Sequence, residues 1–378
     1  MTPSRAGTMP AADTATADFS ARARSFAAIH AGSALAPFAG NLAADVALLE
    51  SGALALPATI TDGGRGNAWV CSPRTTYADY AAEEAARHLP TALARPVQWL
   101  CGGLGHWLDA ARFDRVVTIN NWLLSTNLYP ALDHAALADI LGQARARWPG
   151  HAICFRSLNP VDNADWMQAL EARGFRFIAS RQVYLFDDVP ALRSRHVNLR
   201  RDLARLERST LQRARDADID GHDYARIAEL YALLHLDKHS RFNPSYRPEF
   251  MRRWHRAGLL EFDGLRGADG RLQAVVGLFR QSDTLTAPIV GYDTALPQSL
   301  GLYRQATACI FQAMLRHRAR LNLSAGAAGF KRLRGGQPVI EYSAMLAAHL
   351  PARTRGTLGA LSFLTRRVGV PLMRRYRL

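Results

Sequence analysis

Lysine is almost missing from this chain. Of 47 basic residues in 378, only Lys238 and Lys331 are lysines. Cysteine is scarce too. Cys71, Cys101, Cys154 and Cys309 lie far apart and form no C-x-x-C, which argues against structural zinc and a disulfide framework and fits a reducing cytoplasm. No uncharged apolar run reaches the roughly 18 residues of a spanning helix, which argues against integral membrane topology. The Ala/Thr-rich start, Met1–Ala21, has no apolar core behind a basic end, so no secretory leader is expected. Acids are also in deficit, 32 against 47 basic residues, for a net charge of +15 and a pI near 10.4.

What is present is a globular composition. Hydrophobic residues make up 48% and charged residues 21%, so the chain is not disordered throughout. At roughly 100–200 residues per domain, the length predicts two or three domains. The positive balance favours an anionic partner: a nucleic acid, a phospholipid surface or a phosphate-bearing cofactor. It is equally compatible with a solvated basic surface. Because arginine is the default cation here, a retained lysine points to a place that needs a compact, rotatable, titratable ammonium in place of a planar fork.

Residues 1–20 read as a flexible lead, and the Ala/Leu-rich segment 21–60 as partly helical. A first mixed unit within 21–189 has strand-like Ala68–Cys71, Val97–Cys101, Arg115–Ile119, His151–Leu158 and Phe175–Phe186. Its helical segments are Thr76–His88, Ala131–Trp148 and Asn163–Arg173, the last stopped by Gly174. The segment 190–220 is basic and helical, with Arg193, Arg195, Arg200, Arg201, Arg205, Arg208, Arg213 and Arg215. It reads as an exposed arm, either a connector or an anion-binding element. A second unit, 221–351, runs helix, helix, a three-strand meander (Leu259–Leu265, Arg271–Arg280, Thr284–Asp293), helix Gly301–Arg318, then strands Arg320–Ser324 and Val339–Leu346. An open mixed sheet flanked by helices is the natural packing. The tail, 352–378, interleaves seven arginines with Leu358, Leu361, Phe363, Leu364 and Val368 and has no acid. It suits either an anionic lipid interface or a docked helix over the sheet.

Three segments carry chemistry. In the first, a strand ends at Tyr292-Asp293 and a helix opens after Gln298-Ser299-Leu300-Gly301-Leu302-Tyr303-Arg304. Free N–H groups and the helix dipole make such a start a site for a diphosphate, reinforced here by Arg304. In the second, a strand runs through Ser324-Ala325-Gly326 to Phe330-Lys331 and Gly335-Gly336. A preorganised cation there can stabilise developing negative charge. The third, His235–Asn243, joins two helices and offers Lys238, His239 and Asn243. His239 is a candidate base, Glu341 a second one, and Tyr342 a candidate acid. Tyr292 and Asp293 are further candidates for the substrate site.

Gln298-x-x-Gly301-x-Tyr303 resembles the Gln/Arg-x-x-Gly-x-Gly/Ala loop of the GNAT acyltransferases, with Tyr303 departing at the last position. The strand, Gly, Phe-Lys, Gly run around Lys331 resembles the FemAB-like branch of that superfamily, which includes acetyltransferases of polysaccharide biosynthesis. The helix-strand pair Trp166–Phe186 resembles the close of a GNAT fold without its Gln-x-x-Gly loop. The resemblance implies an α/β (α+β mixed) protein of two GNAT-like domains, each a mixed, mostly antiparallel sheet flanked by helices, the first degenerate. It implies acetyl-CoA or another acyl-CoA as co-substrate, gripped by Gln298, Ser299, Leu300, Gly301, Leu302, Tyr303 and Arg304, with no metal. The acceptor is then an amine or hydroxyl on a small or lipid-linked molecule, and Lys331 steadies the oxyanion. A second reading keeps the fold and takes an aminoacyl-tRNA as donor. A third is a non-catalytic scaffold that binds membrane or nucleic acid. The expected location is cytoplasmic, with a peripheral position at the inner face of the membrane suggested by the tail.

Overall fold

The computed structural model describes residues 11–376. Helix α1 (Ala11–His30) leads into a hairpin of β1 (Asp45–Ser51) and β2 (Leu54–Asp62). Then come α2 (Ala81–His88), α3 (Thr91–Ala110), β3 (Arg115–Ile119), α4 (His134–Arg147), β4 (Ala152–Leu158), α5 (Ala164–Ala172) and β5 (Arg176–Phe186). Two connector helices, α6 (Val189–Arg195) and α7 (Val197–Glu207), reach β6 (Gln212–Ala214). The second half holds α8 (Asp223–Ala232), α9 (Pro248–Arg256), the meander β7 (Glu261–Arg266), β8 (Leu272–Gln281) and β9 (Thr284–Tyr292), and α10 (Leu302–His317). It ends with β10 (Arg320–Asn322), α11 (Ala328–Arg332), β11 (Gln337–Leu346), α12 (Ala352–Leu364) and α13 (Val370–Tyr376).

Local chemistry accounts for many of the boundaries. Asp133 caps α4 by accepting from the Ala135 and Ala136 N–H groups at 2.9 and 3.0 Å. Asp188 does the same for α6 at Ala191, with Pro190 in the first turn. Helix α8 lies so close to β9 that a side chain at Gly291 would meet its backbone at 2.5 Å.

All eleven strands join one sheet in the order β1-β2-β3-β4-β11-β5-β10-β9-β8-β7-β6. The two halves are thus not separate sheets. β11, which follows nearly all of the second half, is antiparallel to both β4 and β5 of the first. β5 in turn pairs with β10. In each half one neighbouring pair is parallel, β3 with β4 and β9 with β10. The main core also crosses the halves: the ring of Trp122 lies 5.0 Å from Phe279, and Phe26 lies 5.6 Å from Trp254. His30, buried in this aromatic cluster, accepts from Trp254 Nε1 at 2.9 Å, and burial lowers its pKa to about 3.

Several sequence expectations change. Of the lead expected over 1–20, residues 1–10 lie outside the described residues, and 11–20 are helical, with Phe19 and Ser20 buried. The segment expected to be partly helical, 21–60, is helical to His30 and then forms the β1–β2 hairpin, whose second strand is buried at nearly every side chain and so shows no alternation. Val97–Cys101 is the middle of α3, not a strand, and Ala68–Cys71 is a turn. The basic segment is not a free arm. Leu199, Leu203 and Leu206 of α7 are buried in one core with Leu302, Ala306 and Cys309 of α10. The tail is helical and docked, with Leu358, Leu361 and Met373 buried on the sheet.

The strand exchange makes a direct prediction. Residues 1–220 made alone lack β11 and β10, and residues 221–378 lack the β4 and β5 partners of β11. Neither fragment is expected to show the cooperative thermal transition of the whole chain, followed by circular dichroism. Independent two-state melting of either fragment would show that the shared sheet does not bind the halves together.

Candidate active site

The chemistry collects where two parallel strands part. β9 and β10 pair over three positions only, Thr284 with Arg320, Leu285 with Leu321 and Thr286 with Asn322. β9 then runs on to Tyr292, while the other chain turns away into the 323–327 loop and α11. Past Thr286 the backbone groups of β9 on that side have no strand partner. α10 starts beside this gap.

The start of α10 is a short turn, Gln298–Leu300, followed by Gly301 at φ 62°. Glycine takes that left-handed conformation without strain. Its missing Cβ also makes room for Arg205 of α7, whose Nη1 would lie 3.1 Å from such an atom. Arg205 donates to the Ser299 and Leu300 carbonyls at 3.0 and 3.4 Å, and Gln305 Nε2 donates to Leu300 at 2.9 Å. No side chain caps the first turn of α10, so its dipole end remains available to an anion. Gln298 and Ser299 are exposed, whereas Leu302 is buried in the core and contributes backbone only.

Beside this turn lies a recess of about 550 Å³ lined by Arg200, Arg201, Ala204, Arg205, Arg208 and Arg304. Asp202 is buried behind it and binds Arg304 Nε at 2.6 Å and Arg334 at 2.6 Å. Arg334 also donates to the Phe330 carbonyl and stacks on its ring. One carboxylate therefore ties α7, α10 and the α11 end together and leaves the recess strongly positive.

Aromatic side chains line the gap. Tyr292 at the end of β9 lies 5.9 Å from Tyr303, and Tyr303 lies 4.8 Å from Phe330. Burial pushes the Tyr303 phenol up to about 12, so it stays protonated. Lys238 Nζ donates to the Tyr292 hydroxyl at 3.0 Å. His235 stacks on Tyr231 at 4.6 Å. Burial, with smaller contributions from His239 and Lys331, holds His235 near 3 and so neutral, and its Nε2 has no hydrogen-bond partner.

Lys331 does not face this gap as an open oxyanion donor. Its ammonium is buried and donates to the carbonyls of Leu323, Ser324 and Ala325 at 2.7, 3.2 and 2.6 Å. All three of its donors are taken, and the lysine pins the 323–325 loop. Burial, then the Arg181 charge, lowers its pKa to about 7. Glu341 is likewise occupied. It is buried and held by Arg181 Nε at 2.8 Å and Nη2 at 3.2 Å, so it is no free base. Tyr342 points to the other side of the sheet, packed with Phe177, Met373 and Val370 under the tail. Asp293 is an ordinary ion-pair partner of Arg226 at 2.6 Å, which keeps its carboxyl below the usual range. Asn243 accepts from Trp69 Nε1 at 2.9 Å and donates to the His235 carbonyl, which makes it a clasp between the halves. His239 is exposed at the same seam, where its carbonyl accepts from Arg87.

Of the sequence candidates, the structure thus groups Lys238, Tyr292, Tyr303, Arg304 and the Gly301 turn. Composition alone did not single out Arg200, Arg201, Arg205 and Arg208 among the basic residues, nor Asp202 or Arg181. The charge run on α7 was the signal, and its leucine spacing shows which side is turned outward. Among the described residues no group of three or more His, Cys, Asp or Glu is placed to hold a metal ion.

Lys331 yields a stability test. A lysine at about 10.4 when unfolded and about 7 when folded leaves the unfolded chain with more bound protons between those pH values, so this residue's contribution to stability rises with pH across that window. Lys331→Met orphans three carbonyls and is expected to cost at least about 1–3 kcal/mol at pH 7. The gap to wild type should widen towards pH 10 in urea titrations. A gap that is flat or narrows with pH would contradict the assignment.

Comparison with known proteins completes the picture. Residues 193–332 match the family model of an acetyltransferase (GNAT) domain. No curated relative matches the chain. Among solved structures, the chain is similar to L-PGS from Bacillus licheniformis, at 12% identity and TM-score 0.52, over 91% of this chain and 96% of that one. At that identity the likeness shows the fold. It is also similar to the C-terminal domain of a putative lysylphosphatidylglycerol synthetase from Agrobacterium fabrum (15% identity, TM-score 0.45, 66% of this chain and 82% of that one). A tandem GNAT protein from the clavulanic acid biosynthesis pathway is a further similar structure (13% identity, TM-score 0.40, 90% and 97%). The matched segment, similar to a GNAT acetyltransferase domain, contains the parting strands, the α10 turn and the basic recess.

Proposed function

We propose that the donor is an acyl-CoA, acetyl-CoA included, and that the acceptor is an amine or hydroxyl on a small or lipid-linked molecule. The observation that carries this reading is the juxtaposition of the uncapped α10 start with the arginine recess, next to the gap between β9 and β10. A diphosphate at the Gly301 turn would meet the helix dipole and the guanidinium groups of Arg205 and Arg304. The acyl carbonyl would then lie in the gap, where β9 N–H groups without a strand partner can receive its developing negative charge. Attack by the acceptor nitrogen or oxygen on the carbonyl carbon breaks the carbon–sulfur bond. The departing thiolate takes a proton, and the Tyr292 hydroxyl is the donor placed for it, with the Lys238 ammonium against its oxygen. The acceptor's proton leaves to solvent or to a nearby base. Lys331 serves this chemistry indirectly, by holding the loop that forms one wall.

A second reading, an aminoacyl-tRNA donor, is favoured by one specific observation. Tyr303 is packed against Tyr292 and Phe330 at the position where a diphosphate needs a small residue, while the recess on α7 is broad and open. The two readings part on salt. Neutralising many phosphates makes affinity fall steeply with ionic strength, whereas one CoA has few.

Binding of acetyl-CoA, long-chain acyl-CoA and free CoA should raise the thermal midpoint, by the equivalent of about 2.7 kcal/mol at a hundredfold excess over Kd. Arg201→Ser with Arg205→Ser should abolish that shift. Tyr292→Phe should keep the shift and lower kcat for thiol release by about 10² or more. If no CoA species shifts the midpoint, the acyl-CoA reading falls. Ribonuclease-sensitive binding would then favour the tRNA donor.

A further inference from the structure

The face of the molecule covered by α3 and the C-terminal helices is apolar and basic on its outward side. Leu104 and Leu108 of α3 share one buried cluster with Leu358 and Leu361 of α12, over Val116, Cys154, Ile178 and Met345 of the sheet. Val97 of α3 and Tyr376 of α13 meet again on Ala85, Leu89 and Ala94. The helices therefore cover one face of the sheet through shared core clusters.

Their solvent sides are unusual. On α3, Trp99 is 79% exposed and Leu100 59%, with Leu93 and Trp107 also exposed. Phe363 is 65% exposed, and Leu364 and Val368 are exposed next to it. Single exposed apolar residues are commonplace, but two Trp, one Phe and several aliphatic residues on adjoining helices are not. The charges among them are positive except for Asp109 at the end of α3, which is paired with Arg65 and Arg74. From Thr91 to Leu108 there is no acid, and Arg353, Arg355, Arg366, Arg367, Arg374 and Arg375 of the tail are exposed with no acid among residues 352–376. Among the described residues no helix is long and apolar enough to cross a membrane, so these side chains do not belong to a span.

We propose that this face docks on an anionic lipid bilayer. Trp and Phe side chains can enter the headgroup and acyl boundary, while arginines pair with lipid phosphates and keep their stems along the apolar surface. A protein partner is the weaker fit, since the face carries unbalanced positive charge. The proposal does not rest on the acyl-CoA reading, and its test does not use activity.

The full chain is to be sedimented with large vesicles of phosphatidylcholine alone and of phosphatidylcholine doped with phosphatidylglycerol. It should pellet with the doped vesicles, and less so as salt is raised. Trp99 emission should shift to the blue on binding, a change absent from Trp99→Phe. Replacing Arg366, Arg367 and Arg374 by Gln should weaken binding about a hundredfold, at roughly fivefold per basic residue near the surface. Trp99→Ser with Phe363→Ser should weaken it at least about tenfold while the thermal midpoint stays put, since both residues are exposed. Two results would overturn the proposal. One is failure to pellet with either vesicle. The other is self-association in light scattering that Trp99→Ser abolishes, which would make the face a protein interface.

Discussion

β11 lies between β4 and β5, and the rest of the molecule depends on that placement. It pairs with β5 along nine positions and with β4 along four, so the first half has no continuous sheet until the last strand of the second half arrives. The contact carries a buried charge pair. Arg181 on β5 grips Glu341 on β11 through Nε and Nη2, and Nη2 also donates to the Ser125 carbonyl and the Thr126 hydroxyl. Breaking either partner would leave an uncompensated charge inside the sheet, which is far more costly than the pair itself is favourable. The same guanidinium lies 4.7 Å from the Trp69 ring and depresses the Lys331 ammonium. The exchange of strands therefore also fixes the wall of the candidate site, because Lys331 holds the loop that leads out of β10.

How far the sequence reveals this can be seen element by element. The meander β7–β9 and helix α10 lie within a few residues of their expected bounds, because each strand is short, punctuated by Gly or Asp turns, and rich in Val, Ile, Leu and Phe. The hairpin β1–β2 is hidden by composition. Its Ala and Leu favour helix, and a strand buried on both faces gives no alternation to contradict them. Val97–Cys101 fails in the opposite sense, as a short apolar run that suits a strand or a helix equally until its neighbours decide. Strand order is not legible at all. Nothing local in Gln337–Leu346 says that its partners are 152 to 193 positions earlier.

The site divides along the same line. A turn made by neighbouring residues, such as Gln298 to Arg304, can be read directly. Pairings across the chain cannot: Asp202 with Arg304 and Arg334 spans 102 and 132 positions, and Arg181 with Glu341 spans 160. The rarity of lysine is instructive here. It marks Lys331 as chemically special, and the structure gives the reason. Three loop carbonyls converge on one point, which a rotatable ammonium satisfies and a planar guanidinium would not. Composition could identify the need but not the partner. Lys238, the other lysine, meets a phenol oxygen at the mouth of the gap.

The net charge of +15 also resolves into places of different physical character. The α7 recess is concave, lined by guanidinium groups with a single alanine among them, and backed by the dipole end of α10. It offers an anion several fixed donors and little apolar surface, which selects for phosphate and against a lipid chain. The α3 and tail face mixes guanidinium groups with exposed Trp, Phe and Leu. It offers depth for hydrocarbon and a diffuse positive field, a combination a soluble nucleotide cannot use and a bilayer surface can. α7 packs with α10 over β8 and β9, whereas α12 packs over β5 and α3 over the sheet near β3. The two basic surfaces are therefore mounted on different strands of one sheet, and an anion filling the first leaves the second free.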